Sequence, residues 1–361
     1  MKRSKHSKRP KHSKHYRACL VLIASMGASV ATSVAALSSA AASSPLLNSP
    51  LLKNAADAEA ESAAAIAGYE ETTPSEPIQL GQVEQSGSEA AESESEAESN
   101  SAVVEGIEFI QQGKVTEAIA AFERAVALNP NSAAAQYNLG LALRQNNQLQ
   151  AAASAFWQAT QADPEFALAY VNLGAALIEG EGIEQAEAYL TRAIELDPEL
   201  GIAHYNMGLL RKRQGDLTAA LESFRAAIAY SPSAPESHYQ IGLLYQDQQQ
   251  YSQAQTAFQN AIDLDYRYPE AHYNLGVTFL RQNSPETAII AFKRATELQP
   301  MFGHAYYAMG LALADLQRYE EAESSLQTAA NIYISEGNAQ WASNAQVHIT
   351  QIQNLKMAQP E

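Results

Sequence analysis

The sequence predicts an all-α chain, a solenoid of stacked helical hairpins, from three observations. Prolines recur at Pro130, Pro164, Pro198, Pro232 and Pro300, spaced by 34 residues or twice 34. With proline at position 32 of a 34-residue unit, seven units follow without insertion, starting at Ser99, Ala133, Ala167, Gly201, Pro235, Pro269 and Gly303. Three positions keep a small residue in all seven: glycine at 8 (Gly106 to Gly310), and alanine at 20 (Ala118 to Ala322) and 27 (Ala125 to Ala329). A fixed period of this length marks a repeat architecture, in which one unit cannot bury its own apolar face and stacking supplies the core.

The chain opens on a basic head. Met1–Arg17 holds eight of the 23 Lys and Arg, and no carboxylate precedes Asp57. An apolar run, Ala18–Leu37, leads to small residues ending in Ala40-Ala41-Ala42. This order is that of a secretory signal over 1–42, cleaved after about Ala42. The same run is also long enough for an uncleaved anchor over 18–37, although Ser, Thr and Gly dilute its second half. The expected location is bacterial periplasm or extracellular space, with membrane anchorage as the alternative. Cys19, the one cysteine, lies in this head, so the repeats have no thiol for disulfide, metal or nucleophilic chemistry.

Residues 43–98 are rich in Ala, Ser and Glu, and no Lys or Arg occurs between Lys53 and Lys114. Such a segment cannot recover its ordering entropy by burial and is expected to be disordered, as a solvated tether or an acidic docking arm. Beyond residue 17 the chain carries 15 basic and 40 acidic residues, a net charge of −25. That balance repels a phosphate backbone and excludes a nucleic-acid partner. Basic, polar or amphipathic protein partners suit it.

Each unit reads as helix A at about positions 1–14 and helix B at about 18–31. An apolar residue at 7, glycine at 8 and an apolar residue near 11 share one face of helix A. The small residues at 8, 20 and 27 let helices approach closely. The Asn-Pro and Asp-Pro pairs end helix B, because proline lacks an amide hydrogen and biases its predecessor away from helix. The fifth unit has Tyr266 in the proline place and Pro269 three residues later, which predicts the same turn. Glu105 replaces the leucine of the first unit, as expected of a solvent-facing end. Over 337–361, Trp341, Ala345, His348, Ile352 and Leu355 fall at helical spacing and predict a capping helix.

Leucine and glycine at positions 7 and 8, alanine at position 20, phenylalanine at position 24 (Phe122, Phe156, Phe224, Phe258, Phe292) and proline at position 32 together resemble the tetratricopeptide repeat (TPR). The tryptophan place departs from the pattern, holding Ala102, Gln136, Tyr170, His204, His238, His272 and Tyr306. The resemblance implies a right-handed α-solenoid. It also implies that the A helices line a concave groove, with ligand contacts at positions 2, 5, 6, 9, 12 and 13. Position 5 supplies Tyr137, Tyr205, Tyr239, Tyr273 and Tyr307. Position 6 supplies Asn138, Asn172, Asn206, Gln240 and Asn274. Arg144, Lys212, Arg213 and Arg281 are the basic residues of the stripe.

An asparagine amide both donates and accepts, so it can pair with peptide backbone whatever side chains that peptide carries. The ladder is similar to that of the superhelical repeats of O-linked N-acetylglucosamine transferases, which hold extended peptide. Two alternatives stand beside this reading. The asparagines bond within their own or the neighbouring helix and set repeat spacing, and the tyrosines pack rather than stack on a ligand. The lysines and arginine of the carboxylate-clamp TPR domains are absent from positions 2, 5 and 6.

His204, His238 and His272 lie 34 apart. Adjacent helices stack about 8–10 Å apart, whereas metal–nitrogen bonds are about 2.0–2.1 Å, so these histidines are expected to pack and to bind no metal. No phosphate loop, nucleophile elbow or His-Glu-x-x-His occurs, and neither enzyme activity nor a cofactor is expected. The expected function is a protein-interaction scaffold holding an extended peptide segment in its groove. The alternatives are an exported assembly factor or chaperone-like adaptor for a membrane complex, and a purely structural spacer.

Overall fold

The computed structural model describes residues 87–180 and 182–358. The expected signal or anchor, and the expected linker up to residue 86, lie outside them. The described residues form fifteen helices and no strand. They are α1 (Gly87–Gln111), α2 (Val115–Leu128), α3 (Ala133–Gln145), α4 (Leu149–Ala162), α5 (Ala167–Glu179), α6 (Ile183–Leu196), α7 (Gly201–Arg213), α8 (Leu217–Tyr230), α9 (Pro235–Asp247), α10 (Tyr251–Leu264), α11 (Pro269–Arg281), α12 (Pro285–Leu298), α13 (Gly303–Asp315), α14 (Tyr319–Ser335) and α15 (Ala339–Ala358). They fall into two compact units, 87–210 and 211–358. In the first, α1/α2, α3/α4 and α5/α6 are antiparallel hairpins, and α4 packs on α5 as α2 packs on α3. The second repeats this with α9/α10, α11/α12 and α13/α14, and α15 closes on α14.

The small residue at position 8 has a specific neighbour. A methyl group on Gly140 would lie 2.6 Å from Phe156 Cε1, and one on Gly276 would lie 2.6 Å from Phe292 Cε1. In the third and seventh repeats the neighbour is Leu190 or Leu326. The residue at 24 of helix B therefore lies flat on the bare backbone of helix A. Phe122, Phe156, Phe224, Phe258 and Phe292 are all fully buried.

The turn from B to A is closed by the residue before proline. The Asn129, Asp163, Asp197 and Asp265 side chains each accept from the backbone N–H two residues on, at 2.9–3.2 Å. Asp265 does so although Tyr266 follows it in place of proline, so the turn is the same. The turn from A to B needs a left-handed residue at position 15. Gly113 and Gly215 supply it without strain, but Asn147, Gln249, Asn283 and Gln317 adopt φ of 57–59°. A β-carbon there costs about 1–2 kcal/mol. Gln317→Gly is therefore expected to raise the melting temperature, with a net gain of about 0.5–1 kcal/mol after the added freedom of the unfolded chain.

Two edges of the array differ from the sequence expectation. The first helix starts at Gly87, not near Ser99, so the last part of the expected linker is helical. Ser95 and Ser99 Oγ donate to the Leu128 and Ala125 carbonyls, both at 2.8 Å. Ser95 thus serves a carbonyl at the end of α2, Ser99 adds a second donor to one that the Asn129 N–H already holds, and the Ala and Glu of this segment favour helix. At the other end, Ala345, His348 and Ile352 are buried with Ile349, but Leu355 is exposed. It lies past the last turn that α14 covers with apolar side chains, where Lys356 instead reaches Glu320 and Glu323.

Candidate interaction face of the A helices

The tyrosines at position 5 do not line an open groove. Tyr137, Tyr205, Tyr239, Tyr273 and Tyr307 are all between 0 and 3% exposed. Tyr137, Tyr239 and Tyr273 each pack on the aromatic residues at 24 and 34 of their own repeat. Tyr137 lies 5.7 Å from Phe156 and 4.9 Å from Phe166, and Tyr273 lies 5.7 Å from Phe292 and 5.1 Å from Phe302. In the last repeat Tyr307 packs edge-on against Tyr333, Trp341 and His348 instead. Such rings gain more from apolar burial and edge-to-face packing than from an exposed position. The stacking role on a ligand is therefore corrected to a core role.

The asparagines tie repeats together. Asn172 Nδ2 donates to the Leu168 carbonyl one turn back (3.0 Å) and to the Tyr137 hydroxyl of the preceding repeat (3.1 Å). Asn274 does the same with the Glu270 carbonyl and the Tyr239 hydroxyl, both at 3.0 Å. Asn138 and Asn206 follow Val103 and Val171, which have no hydroxyl, and each donates only to its own helix. Tyr at 5 and Asn at 6 of the next unit thus form one inter-repeat bond, 35 residues apart in sequence. That spacing was visible in the sequence, but only as two separate columns.

The donors are therefore spent on the fold, and the fixed amides leave their oxygens. Asn172 Oδ1 accepts from Arg144 Nη1 at 3.3 Å. Asn138 Oδ1 is shut from solvent and has no partner. The oxygens of Asn206 and Asn274 are not shut off and take no hydrogen bond from a described residue. The series ends at the seventh repeat: the Tyr307 hydroxyl is buried without a partner, α14 runs on to Ser335, and the sixth residue of α15 is Asn344, whose Oδ1 accepts from Gln340 Nε2 at 3.1 Å.

The basic residues differ in their surroundings. Arg144 donates to Glu179 through Nε (2.9 Å) and Nη2 (2.6 Å), a fork-shaped pair between neighbouring repeats. Lys212 donates to Gln240 Oε1 at 3.2 Å, and burial pushes its ammonium below the usual lysine range, partly opposed by Asp247. Gln246, at the same position 12, reaches the Asn274 carbonyl (3.3 Å) and Thr278 (3.2 Å). Arg213 is exposed. Arg281 is half-buried, makes no hydrogen bond or ion pair with a described residue, and burial draws its value down.

Position 2 belongs to the expected stripe, but the enclosure of its carboxyls is visible only in the structure. Glu236 and Glu270 stand there, and burial raises both carboxyls above the usual range, with Asp265 adding to the effect. A carboxyl whose folded value is raised stabilises the fold fully below its unfolded value, and that contribution disappears as pH rises through the folded value. Glu270→Gln is therefore expected to melt higher than wild type at neutral pH. The difference should vanish as pH falls below the ordinary value of 4.5.

The histidines at position 4 have a use. His204 Nε2 meets the Pro198 carbonyl at 2.9 Å and His272 Nε2 the Tyr266 carbonyl at 3.1 Å, so they fasten the B-to-A turn. Among the described residues no group of three His, Cys, Asp or Glu could hold a metal ion. No described helix is long and apolar enough to cross a membrane.

Family profiles described as tetratricopeptide or TPR repeat match residues 103–167, 143–200, 239–300, 210–249 and 303–333, together more than half of the chain. No curated protein matches the sequence. Among solved structures, the Cut9–Hcn1 hetero-tetramer of the APC/C is similar with a TM-score of 0.54 and 18% identity, over 62% of this chain. The chain spans 47% of that structure's chain, less than half its length. A tetratricopeptide repeat protein from Parabacteroides merdae is similar with a TM-score of 0.54 and 16% identity, over 69% of this chain and 99% of that one. Both likenesses bear on the fold, an α-solenoid of helix-turn-helix repeats.

Proposed function

The chain belongs to the tetratricopeptide-repeat family, and from that premise we propose that it holds an extended segment of a partner protein on its A-helix faces. Repeats of this family serve as protein-interaction scaffolds and are generally non-catalytic. The reading makes this chain a scaffold that performs no chemistry and needs no cofactor. The observation that carries it is the state of the ladder. The amide donors are fixed by the fold, and the oxygens of Asn206 and Asn274 keep a free acceptor for a backbone N–H. Each such bond contributes about 0.5–1.5 kcal/mol net, so the two free rungs add a modest share of the affinity. The basic head and apolar run support a location outside the cytosol, where an envelope complex under assembly is one source of such a segment.

Three versions of the full chain, used to capture partners from an envelope extract, test this. One is wild type, one carries Asn138, Asn172, Asn206 and Asn274 changed to Ala, and one carries Tyr137→Phe with Tyr239→Phe. The tyrosine variant loses the inter-repeat bonds and keeps the amide oxygens. The same partner on wild type and the tyrosine variant, but not on the asparagine variant, is the expected result. Equal loss from both variants would mean that the ladder only holds repeats in register. Equal capture by all three would leave a spacer.

A further inference from the structure

Two glutamates in the second unit, one buried and one half-buried, lack a counter-charge among the described residues. Glu236 and Glu270 are the second residues of α9 and α11, at the same place in adjacent repeats. Glu270 is 5% exposed, and its side chain makes no hydrogen bond or ion pair with any other described residue. Glu236 Oε2 is shut from bulk solvent and has no partner. Elsewhere among the described residues, Glu105, Glu179, Glu195, Glu297 and Glu321 each meet an arginine.

The charge of Asp265, at the turn between these repeats, acts on both carboxyls, so each glutamate has a like charge near it and no opposite one. Among the described residues, no cation is one of the charges that act on either. The nearest in sequence, Arg267, is held over the Tyr266 ring with Nε on its hydroxyl at 3.0 Å. Each glutamate accepts from its own backbone N–H, and a helix N-terminus favours an anion by only about 0.3–1 kcal/mol. Burying a carboxylate without a partner charge costs several times that. Burial raises both carboxyls, as expected of groups with no partner in the free chain.

We propose that Glu236 and Glu270, with Asp265 beside them, seat a lysine or arginine side chain of the protein segment this scaffold holds. The proposal rests on the scaffold reading and names the chemistry of its ligand. A buried acidic seat is satisfied only when a cation arrives, so it favours a basic residue over a neutral one of the same shape by much more than an exposed pair does. The acidic body, with a net charge of −25 beyond residue 17, draws basic segments toward it. Tyr266, more than half exposed in the adjoining turn, adds apolar contact for the stem of such a side chain. A metal ion is a poorer fit, because no three described ligands converge here.

The test uses the full chain and two arrays of N-acetylated, C-amidated dodecapeptides. One array has Lys and Arg at varied positions. In the other, norleucine and citrulline replace them. Glu236→Gln with Glu270→Gln is compared with wild type and with Glu222→Gln, which removes an exposed charge elsewhere in the unit. Thermal unfolding verifies that each variant is folded. The expected result is that wild type and Glu222→Gln bind Lys and Arg peptides, and that the double variant binds the same peptides at least tenfold more weakly. Undiminished binding by the double variant overturns the seat. Equal binding to the norleucine and citrulline array overturns the seat and leaves the scaffold reading standing. Binding to neither array overturns both.

Discussion

Phe292→Ala is expected to cost about 3–5 kcal/mol. The ring is fully buried and lies on the bare backbone of Gly276 and against Tyr273. Its removal opens a cavity that two helices cannot close without breaking the hairpin. Gly276→Ala acts on the same contact from the other side. The three atoms nearest its new methyl all belong to the Phe292 ring, at 2.6–3.0 Å, and a shift of helix or ring should cost about 1–3 kcal/mol. The two changes are therefore expected to be strongly non-additive. In the Phe292→Ala background, Gly276→Ala should cost little, because the atoms it would strike are gone. A double-mutant cycle by denaturant unfolding measures this, with hydrogen exchange of α11 and α12 as a local probe, since repeat arrays open unit by unit. Additive losses would show that glycine is kept at 276 for its backbone alone.

Arg144→Ala is the second large effect, with an expected loss of about 1–3 kcal/mol. The pair with Glu179 keeps 20% and 14% of its side-chain surface, so the value is set below that of a fully dry ion pair. The loss arises mainly from what stays behind: Glu179 mostly enclosed without its cation, and Asn172 Oδ1 without its donor. Adding Glu179→Ala should recover much of the stability. Recovery would identify the stranded carboxylate as the main cost, and no recovery would assign it to the lost packing of the arginine stem. The same comparison bears on function. If Arg144 were a ligand contact first, binding would fall in the single variant and stay lost in the double variant after stability returned.

Most of the fold was legible in the sequence because a solenoid is periodic. Each glycine at 8, alanine at 20 and 27, and proline at 32 answers a constraint repeated in identical surroundings, so seven copies show it plainly. The left-handed residue at 15 was harder to see, since Gly, Asn and Gln share the place and only the backbone angle unites them. The helical start at Gly87 was missed because Ala, Ser and Glu composition suits both a tether and a helix. Two serines bonding to α2 show the second outcome here.

The candidate site was legible only in part. The sequence by itself determined that Tyr and Asn recur side by side on one helix face. It also determined the acidic balance of the body and the absence of a thiol from the repeats. Only the tertiary structure decided where those side chains go. Successive side chains on a helix diverge by about 100°, so Tyr at 5 turns into the core while Asn at 6 reaches the repeat before it. Whether a polar atom is spent or free depends on neighbours 35 residues away, as for Asn172 and Tyr137. The same holds for charge. Glu179 and Glu270 are both glutamates on A helices, yet one has an arginine across the repeat boundary and the other has none, and that contact exists only once the repeats are stacked.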